Sequence, residues 1–356
     1  MNYSYKIIKS IEDFINLKEQ WKNLEATSNN KNISLNYDWC YLWWTIFKHK
    51  EDNTFGYDKQ LNIIVGYSQS GDIGFIAPLI LLKRKVFNIN ISFLEFLGQQ
   101  WGATTYSLLK SPNYPFNFNY FKRYCQQHIS FDILYLRNIP ISDMNLYNKL
   151  LNINAGCPQL DLTRYSTYQE LYTSYPKNLR QNIRTAYNRA NKNGKELFLY
   201  TSNVSTIDWN DIIKISKSKI NDGKYSLYED SDKKKFFIQI SSKMNANFIL
   251  AKIDKELVSY RYNVLYNGIK FCIDASYDRA FPQYNLGTLT VCKNIEDSYN
   301  NNVLLHSMGP GCYDYKLKFT SSINYLGFLV CSSNFFKGKI VSKLFLYYLK
   351  KRKSQL

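Results

Sequence analysis

The sequence predicts an α+β protein of two similar domains in tandem, each a mixed central sheet flanked by helices, and three observations carry that prediction. At 356 residues the chain exceeds the usual single-domain size and can bury two cores. An order of strand, turn, strand, strand, helix, strand runs through residues 61–138 and returns through residues 248–308. Within the second round, LVSYRYNVLY, Asn267-Gly268 and IKFCIDASY place two β-rich runs around the dipeptide that best suits a two-residue type I′ turn. The expected division is a scaffold domain over 1–163 and a domain carrying the chemistry over 164–356.

In chain order, residues 5–9 read as a strand and 11–24 as an amphipathic helix carrying Phe14, Leu17 and Trp21. A second helix starts near Ser34 or Asn36, either of which caps, and Trp39, Leu42, Trp43 and Ile46 form its apolar stripe. Strands are expected at 61–67, 73–83 and 91–98, with a turn at 68–72 and a loop at 99–115, then a helix over 118–128 and a strand over 131–138. Residues 168–172 and 177–193 form a helical connection, with Pro176 suited to a first turn and Gly194 to a C-cap. Its apolar stripe is Leu179, Ile183, Ala186 and Ala190, while Lys177, Arg180, Arg184 and Lys192 gather elsewhere as a solvated face or a groove for phosphates. A strand at 196–201, helices at 206–220 and 232–244, and a strand at 248–253 lead into the hairpin. The end, 335–353, is an amphipathic basic helix, packed on its domain or lying on a membrane surface.

The two-residue turn sets Tyr266 against Ile269. Counting back places Asn263 against Cys272, Arg261 against Asp274 and Ser259 against Ser276, so one face carries a polar ladder with an ion pair across the strands. Val258, Tyr260, Tyr262 and Val264 take the other face. Beyond the hairpin, residues 287–299 have a helical period with Leu289, Val291, Cys292 and Ile295 as the stripe. Gly287 opens that helix. Lacking a Cβ, it lets a group approach the first free N–H groups, where the helix dipole favours negative charge. An ordinary helix start has the same sequence.

Lys and Arg number 46 against 28 Asp and Glu, a formal charge of +18 that suits nucleic acid, an anionic membrane or acidic substrates. The excess of lysine, with many asparagines, isoleucines and tyrosines, equally marks biased coding composition. No apolar signal core opens the chain, and the run GFIAPLILL is too short to span a bilayer, so a cytoplasmic location is expected. Seven cysteines without a C-x-x-C pair and only three histidines predict neither a disulfide framework nor a metal centre.

The segments KNLRQNIRTAYNRANKNG, YDRAFPQYNLGTLTVCKNIEDSYNN and GPGCYDYKLKF, in that order and spacing, resemble GNAT-superfamily acyltransferases of the group associated with cellulose biosynthesis, relatives of the Fem-type aminoacyl transferases. The resemblance implies two tandem GNAT-like domains and transfer of an acyl group from acetyl-CoA or another acyl-CoA to a small-molecule amine or sugar amine, without a metal. By that likeness Tyr277 and Asp278 match the family's Tyr-Asp, Gly287 its helix glycine, Gly309 and Gly311 its loop glycines, and Tyr315 with Lys316 its closing Tyr-Lys. Departures are present too. The family's Ser-Pro before the helix glycine is Asn285-Leu286, acids around the Gly-x-Gly loop are replaced by Ser307, Cys312 and Tyr313, and of the superfamily's pyrophosphate signature only Gln283 stands in place.

The resulting expectation assigns Asp274 as base or amine anchor, Tyr277 or Tyr315 as acid, Gln283, Asn285, Gly287 and Thr288 to the donor, and Arg261 and Lys316 to substrate. Cys312 lies close to His306 in sequence, which raises a thiolate–imidazole reading. Two alternatives stay open: a Fem-like enzyme drawing its acyl group from charged tRNA, and a non-catalytic binding protein of the same fold.

Overall fold

The computed structural model describes residues 4–69, 71–86, 88–100, 104–148, 152–220 and 226–353. Ser70 in the expected turn and 101–103 in the expected loop lie outside them. The chain is α+β and divides into two compact units, Met1–Gly156 with Asn324–Leu356, and Cys157–Ile323.

The first unit contains β1 (Ser4–Ile8), α1 (Ile11–Asn16), α2 (Lys18–Thr27), α3 (Tyr37–Phe47), β2 (Tyr57–Leu61), β3 (Ile63–Tyr67), β4 (Ile73–Ala77), β5 (Leu79–Val86), β6 (Ile89–Phe96), β7 (Leu109–Lys110), α4 (Phe118–His128) and β8 (Ile133–Pro140). Asn36 caps α3, its side chain accepting from the Trp39 N–H. The strand expected at 73–83 is broken at Pro78, which has no N–H for a ladder; β4 joins a sheet ordered β1-β3-β4-β7 while β5 pairs with β2 and β6. Phe75, Leu94, Phe96, Phe121 and Leu134 are among the side chains that fill this unit's core.

The second unit takes the end of β9 (Asn152–Asp161), then α5 (Tyr168–Ser174), α6 (Lys177–Lys192), β10 (Leu197–Asn203), α7 (Trp209–Ser218), α8 (Ser231–Lys243), β11 (Asn245–Ile253), β12 (Glu256–Tyr266), β13 (Ile269–Tyr277), α9 (Leu286–Asn300), β14 (Leu305–Ser307) and α10 (Asp314–Leu317). Its strands run β10-β11-β12-β13-β14-β9, with β13 and β14 parallel and the other neighbours antiparallel. One motif therefore occurs in each unit: an antiparallel pair, a helix, and a strand returning parallel to the second of the pair. In the first unit it is β5, β6, α4, β8. In the second it is β12, β13, α9, β14.

The sequence reading placed no strand at β9, nor at β15 (Ile323–Ser332), which precedes α11 (Phe336–Lys353). Strand β15 pairs antiparallel with β8, Val330 opposite Tyr135. That pairing returns the chain from Asn324 onward to the first unit, where the sequence reading ran the second domain from 164 to 356.

The hairpin turn is as expected, Asn267 and Gly268 both having positive φ, 46° and 74°, as type I′ requires. Its register is not. Pairing holds from Tyr266↔Ile269 to Asn263↔Cys272, then slips to Tyr262↔Asp274, Arg261↔Ala275, Tyr260↔Ser276 and Ser259↔Tyr277. Ile273 is the extra residue of a β-bulge. Because successive side chains alternate faces, the one-residue slip removes the expected Arg261–Asp274 and Ser259–Ser276 pairs.

Candidate functional site

The bulge decides which groups can meet. Asp274 turns to the face of Tyr260 and Tyr262, where its carboxylate accepts from the Tyr260 hydroxyl at 2.7 Å and from Lys219 Nζ at 3.4 Å. Burial, then the neighbouring Asp274 charge, holds the Tyr260 hydroxyl pKa well above its usual value. Helix α7 covers this face, the Ser276 hydroxyl donating to the Ile215 carbonyl at 3.1 Å. Asp274 is thus separated from the other expected site residues.

On the opposite face, Arg261 and Asn263 point to α9. Thr290, Asn294, Asp297 and Ser298 follow a helical period along that helix and meet the sheet's polar side chains directly. Asn294 Nδ2 donates to Asn263 Oδ1 at 2.7 Å, Asn263 Nδ2 to Asn247 Oδ1 at 3.2 Å, and Lys270 pairs with Asp297. Ser298 Oγ bonds His306 Nδ1 at 2.8 Å. Burial pushes the His306 pKa well below 6.5, and the Lys270 and Arg261 charges push the same way.

Arg261 is only 6% exposed. Its guanidinium donates to Thr290 Oγ1 at 3.3 Å, to the Gly287 carbonyl at 3.3 Å and to Cys272 Sγ at 3.5 Å, and lies 5.9 Å from the centre of the Tyr315 ring. Among the described residues it has no carboxylate partner: Asp274 is held by Lys219 and Asp297 by Lys270.

These contacts lie beside the first turn of α9. Strand β14 pairs with β13 only from Ile269 to Phe271, so that edge of Cys272–Tyr277 has no strand beside it among the described residues. A Cβ on Gly287 would sit 3.3 Å from the Tyr277 ring, a tight contact that the ring would relieve by moving a few tenths of an ångström. The Arg279 guanidinium lies over the Tyr277 ring, 3.8 Å from its centre. Asn285 is left-handed, φ 50°, and its Oδ1 accepts from the Thr288 hydroxyl at 2.9 Å without capping a backbone N–H. Gln283 is exposed, its carbonyl taken by Arg189 of α6 at 2.8 Å. Arg261, Tyr277, Asn285, Gly287, Thr288 and Tyr315 therefore collect around one helix end, with Gln283 at its margin.

Lys316, in α10, is 5% exposed and donates to the Gly309 and Pro310 carbonyls at 2.9 and 3.1 Å, tying down the Gly-Pro-Gly loop. Burial lowers its pKa, and Arg261 adds to that effect. Burial raises the Tyr315 pKa, opposed by Arg261. Cys312 is exposed while His306 is buried against Ser298, so the thiolate–imidazole pair is not assembled. Sequence reasoning missed Thr290, Arg279, Arg189 and Lys219. Thr290, one turn past Gly287, had a signal in its spacing, and Arg279 lies two residues from Tyr277; Arg189 and Lys219 are brought in by tertiary packing. Among the described residues, no group of three or more His, Cys, Asp or Glu is arranged to hold a metal ion. No helix among them is long and apolar enough to cross a membrane.

With the motif repeated in both units, the fold is that of two tandem GNAT-like domains. Residues 177–317 match the acetyltransferase (GNAT) domain family. Over nearly its whole length the chain is similar to the crystal structure of FemX, with a TM-score of 0.63 at 8% identity, covering 97% of this chain and 99% of that one. It is also similar to the C-terminal domain of a candidate lysylphosphatidylglycerol synthetase from Agrobacterium fabrum, with a TM-score of 0.55 at 8% identity over 92% and 95% of the two chains. A third similar structure is L-PGS from Bacillus licheniformis, with a TM-score of 0.50 at 13% identity over 85% and 95%. No curated protein matches the sequence. The narrower likeness to the group associated with cellulose biosynthesis is not among these findings.

Proposed function

We propose that the second unit moves an acyl group from a thioester, acetyl-CoA or another acyl-CoA, to the amine of a small molecule or amino sugar. The observation that carries this reading is the buried guanidinium of Arg261, which among the described residues has no carboxylate partner, next to the first turn of α9. A buried charge without a counter-ion costs several kcal/mol, and a substrate anion arriving there relieves that cost. The first N–H groups of a helix have no intrahelical acceptor, so those near Gly287 and Thr288 suit the donor's phosphates, with Asn285 and Gln283 beside them. In the reaction the amine nitrogen attacks the thioester carbonyl carbon, the C–S bond breaks, the amine gives its proton to water, and the thiolate takes one from a tyrosine. Tyr277 and Tyr315 are the candidates. Burial keeps Tyr315 protonated, which suits an acid rather than a base. Lys316, through the loop it ties down, and Arg261 bind the substrate, and Asp274 supports the sheet from the far face.

A second reading, aminoacyl transfer from charged tRNA, draws on the likeness to FemX and L-PGS together with the +18 charge. Titration calorimetry separates the two. The first reading expects heat with acetyl-CoA or a longer acyl-CoA, binding abolished by Gly287→Glu and weakened about tenfold or more by Arg261→Met, with thermal melting retained. No heat with either donor, alongside a tRNA mobility shift at moderate salt, replaces it with the second. Neither response favours a non-catalytic binding protein.

A further inference from the structure

Helix α11 carries a second apolar face that the fold does not use. At 100° per residue, Phe336, Ile340, Leu344 and Tyr347 form one stripe, and they are 80%, 44%, 56% and 67% exposed. The helix is nevertheless packed on its other side. Gly338 and Ser342 are buried, and the Phe345 ring lies 5.3 Å from Phe93 and 5.1 Å from Tyr135. The stripe is therefore surplus to the core, and Phe335, just before the helix, is 58% exposed. Lys337 Nζ donates to the Asn90 carbonyl at 3.0 Å, which brings exposed Ile89 beside the same end.

Charge says what covers it. On the helix wheel Lys339, Lys343 and Lys350 fall along one side of the stripe and Lys351 within it, while Lys337 on the other side is paired with Asp132 at 2.7 Å, and the sequence of Phe336–Lys353 contains no Asp or Glu. A row of large apolar side chains flanked by a row of cations, lying on the outside of a folded unit, fits the boundary between anionic headgroups and acyl chains. We infer that α11 is a docking surface for an anionic phospholipid bilayer, lying in its plane with Phe336, Ile340, Leu344 and Tyr347 inserted and Lys339, Lys343 and Lys350 among the headgroups. The inference is independent of the acyl-transfer reading.

The test is co-sedimentation of the whole protein with vesicles of phosphatidylcholine alone or with about 30 mol % phosphatidylglycerol, at about 0.1 M and about 0.5 M salt. Roughly tenfold or greater partitioning onto the anionic vesicles is expected at the lower salt, with release at the higher. Ile340→Ser with Leu344→Ser leaves the charge unchanged and is expected to reduce binding about tenfold, at an unaltered melting temperature and acyl-CoA affinity. Binding unaffected by this double substitution would mean adhesion through basic surface elsewhere and would overturn the proposal. So would equal binding to neutral vesicles, no binding to anionic ones, or a dimer that the double substitution converts to monomer without any vesicle binding, which would assign the stripe to a second copy of the chain.

Discussion

His306 illustrates how a buried group turns its surroundings into a pH response. Its folded pKa is well below 6.5, so between that value and 6.5 the unfolded chain binds a proton that the folded chain refuses. Stability from this residue is complete above 6.5 and is lost as pH falls through the window. His306→Gln, which keeps a partner for Ser298, is expected to flatten the decline of melting temperature below pH 6.5 and to leave the two proteins parallel above it. Asp274 makes a different residue-scale case. Removing its carboxylate strands Lys219, which is 8% exposed, and losing one partner of a buried pair costs about 3–5 kcal/mol. Asp274→Ala should therefore lower the urea midpoint strongly while leaving acyl-CoA affinity unchanged; a loss of affinity in a folded variant would return Asp274 to the site.

The hairpin and α9 work as paired elements. Leu289, Val291, Cys292 and Ile295 give α9 an apolar stripe that enters a core, as its period predicts. The surprise is the other stripe. Thr290, Asn294, Asp297 and Ser298 would ordinarily be read as a solvated face, yet Thr290, Asn294 and Ser298 are buried because the sheet opposite carries Arg261, Asn263 and Lys270. A polar helix face on a polar sheet face satisfies both, which a pattern of hydrophobic periodicity does not reveal. The turn that sets the ribbon is correspondingly sensitive. Gly268 has positive φ, and a Cβ there would come within 2.9 Å of Leu304 Cδ1. Gly268→Ala is expected to cost about 1–3 kcal/mol in denaturant unfolding, since strain and contact act together; a neutral result would show that the turn does not hold the register.

At the scale of the whole molecule, the first unit is assembled from two distant parts of the chain. Strand β15 completes the ladder beside β8, and Phe345 of α11 packs on Phe93 and Tyr135. Ending the chain after Ile323 leaves the second unit's residues intact and removes both of these supports from the first. Limited proteolysis is expected to cut such a chain rapidly within residues 1–156 and to spare 157–323. Equal protection of both segments would mean that the returning strand and helix are dispensable.

Much of this was legible along the chain. Helix α4 spans Phe118–His128 and β13 Ile269–Tyr277, both as read, and the Asn267–Gly268 turn follows from which residues tolerate positive φ. Of the residues at the start of α9, Gly287 followed from the helix start, whereas Tyr315 was given by the family resemblance and its meeting with Arg261, far off in sequence, was not read along the chain. Strand β9 was obscured by Gly156 and Pro158, residues that weaken a strand pattern, and β15 by Gly327 within its apolar run. Local chemistry thus determined the elements, the turn and the residue types gathered at the start of α9. Only the tertiary structure decided the bulge at Ile273, the face to which Asp274 turns, the neighbours of Arg261 and the return of the C-terminal segment to the first unit. Each of these depends on contacts between residues far apart in sequence, whose register a single extra residue reverses.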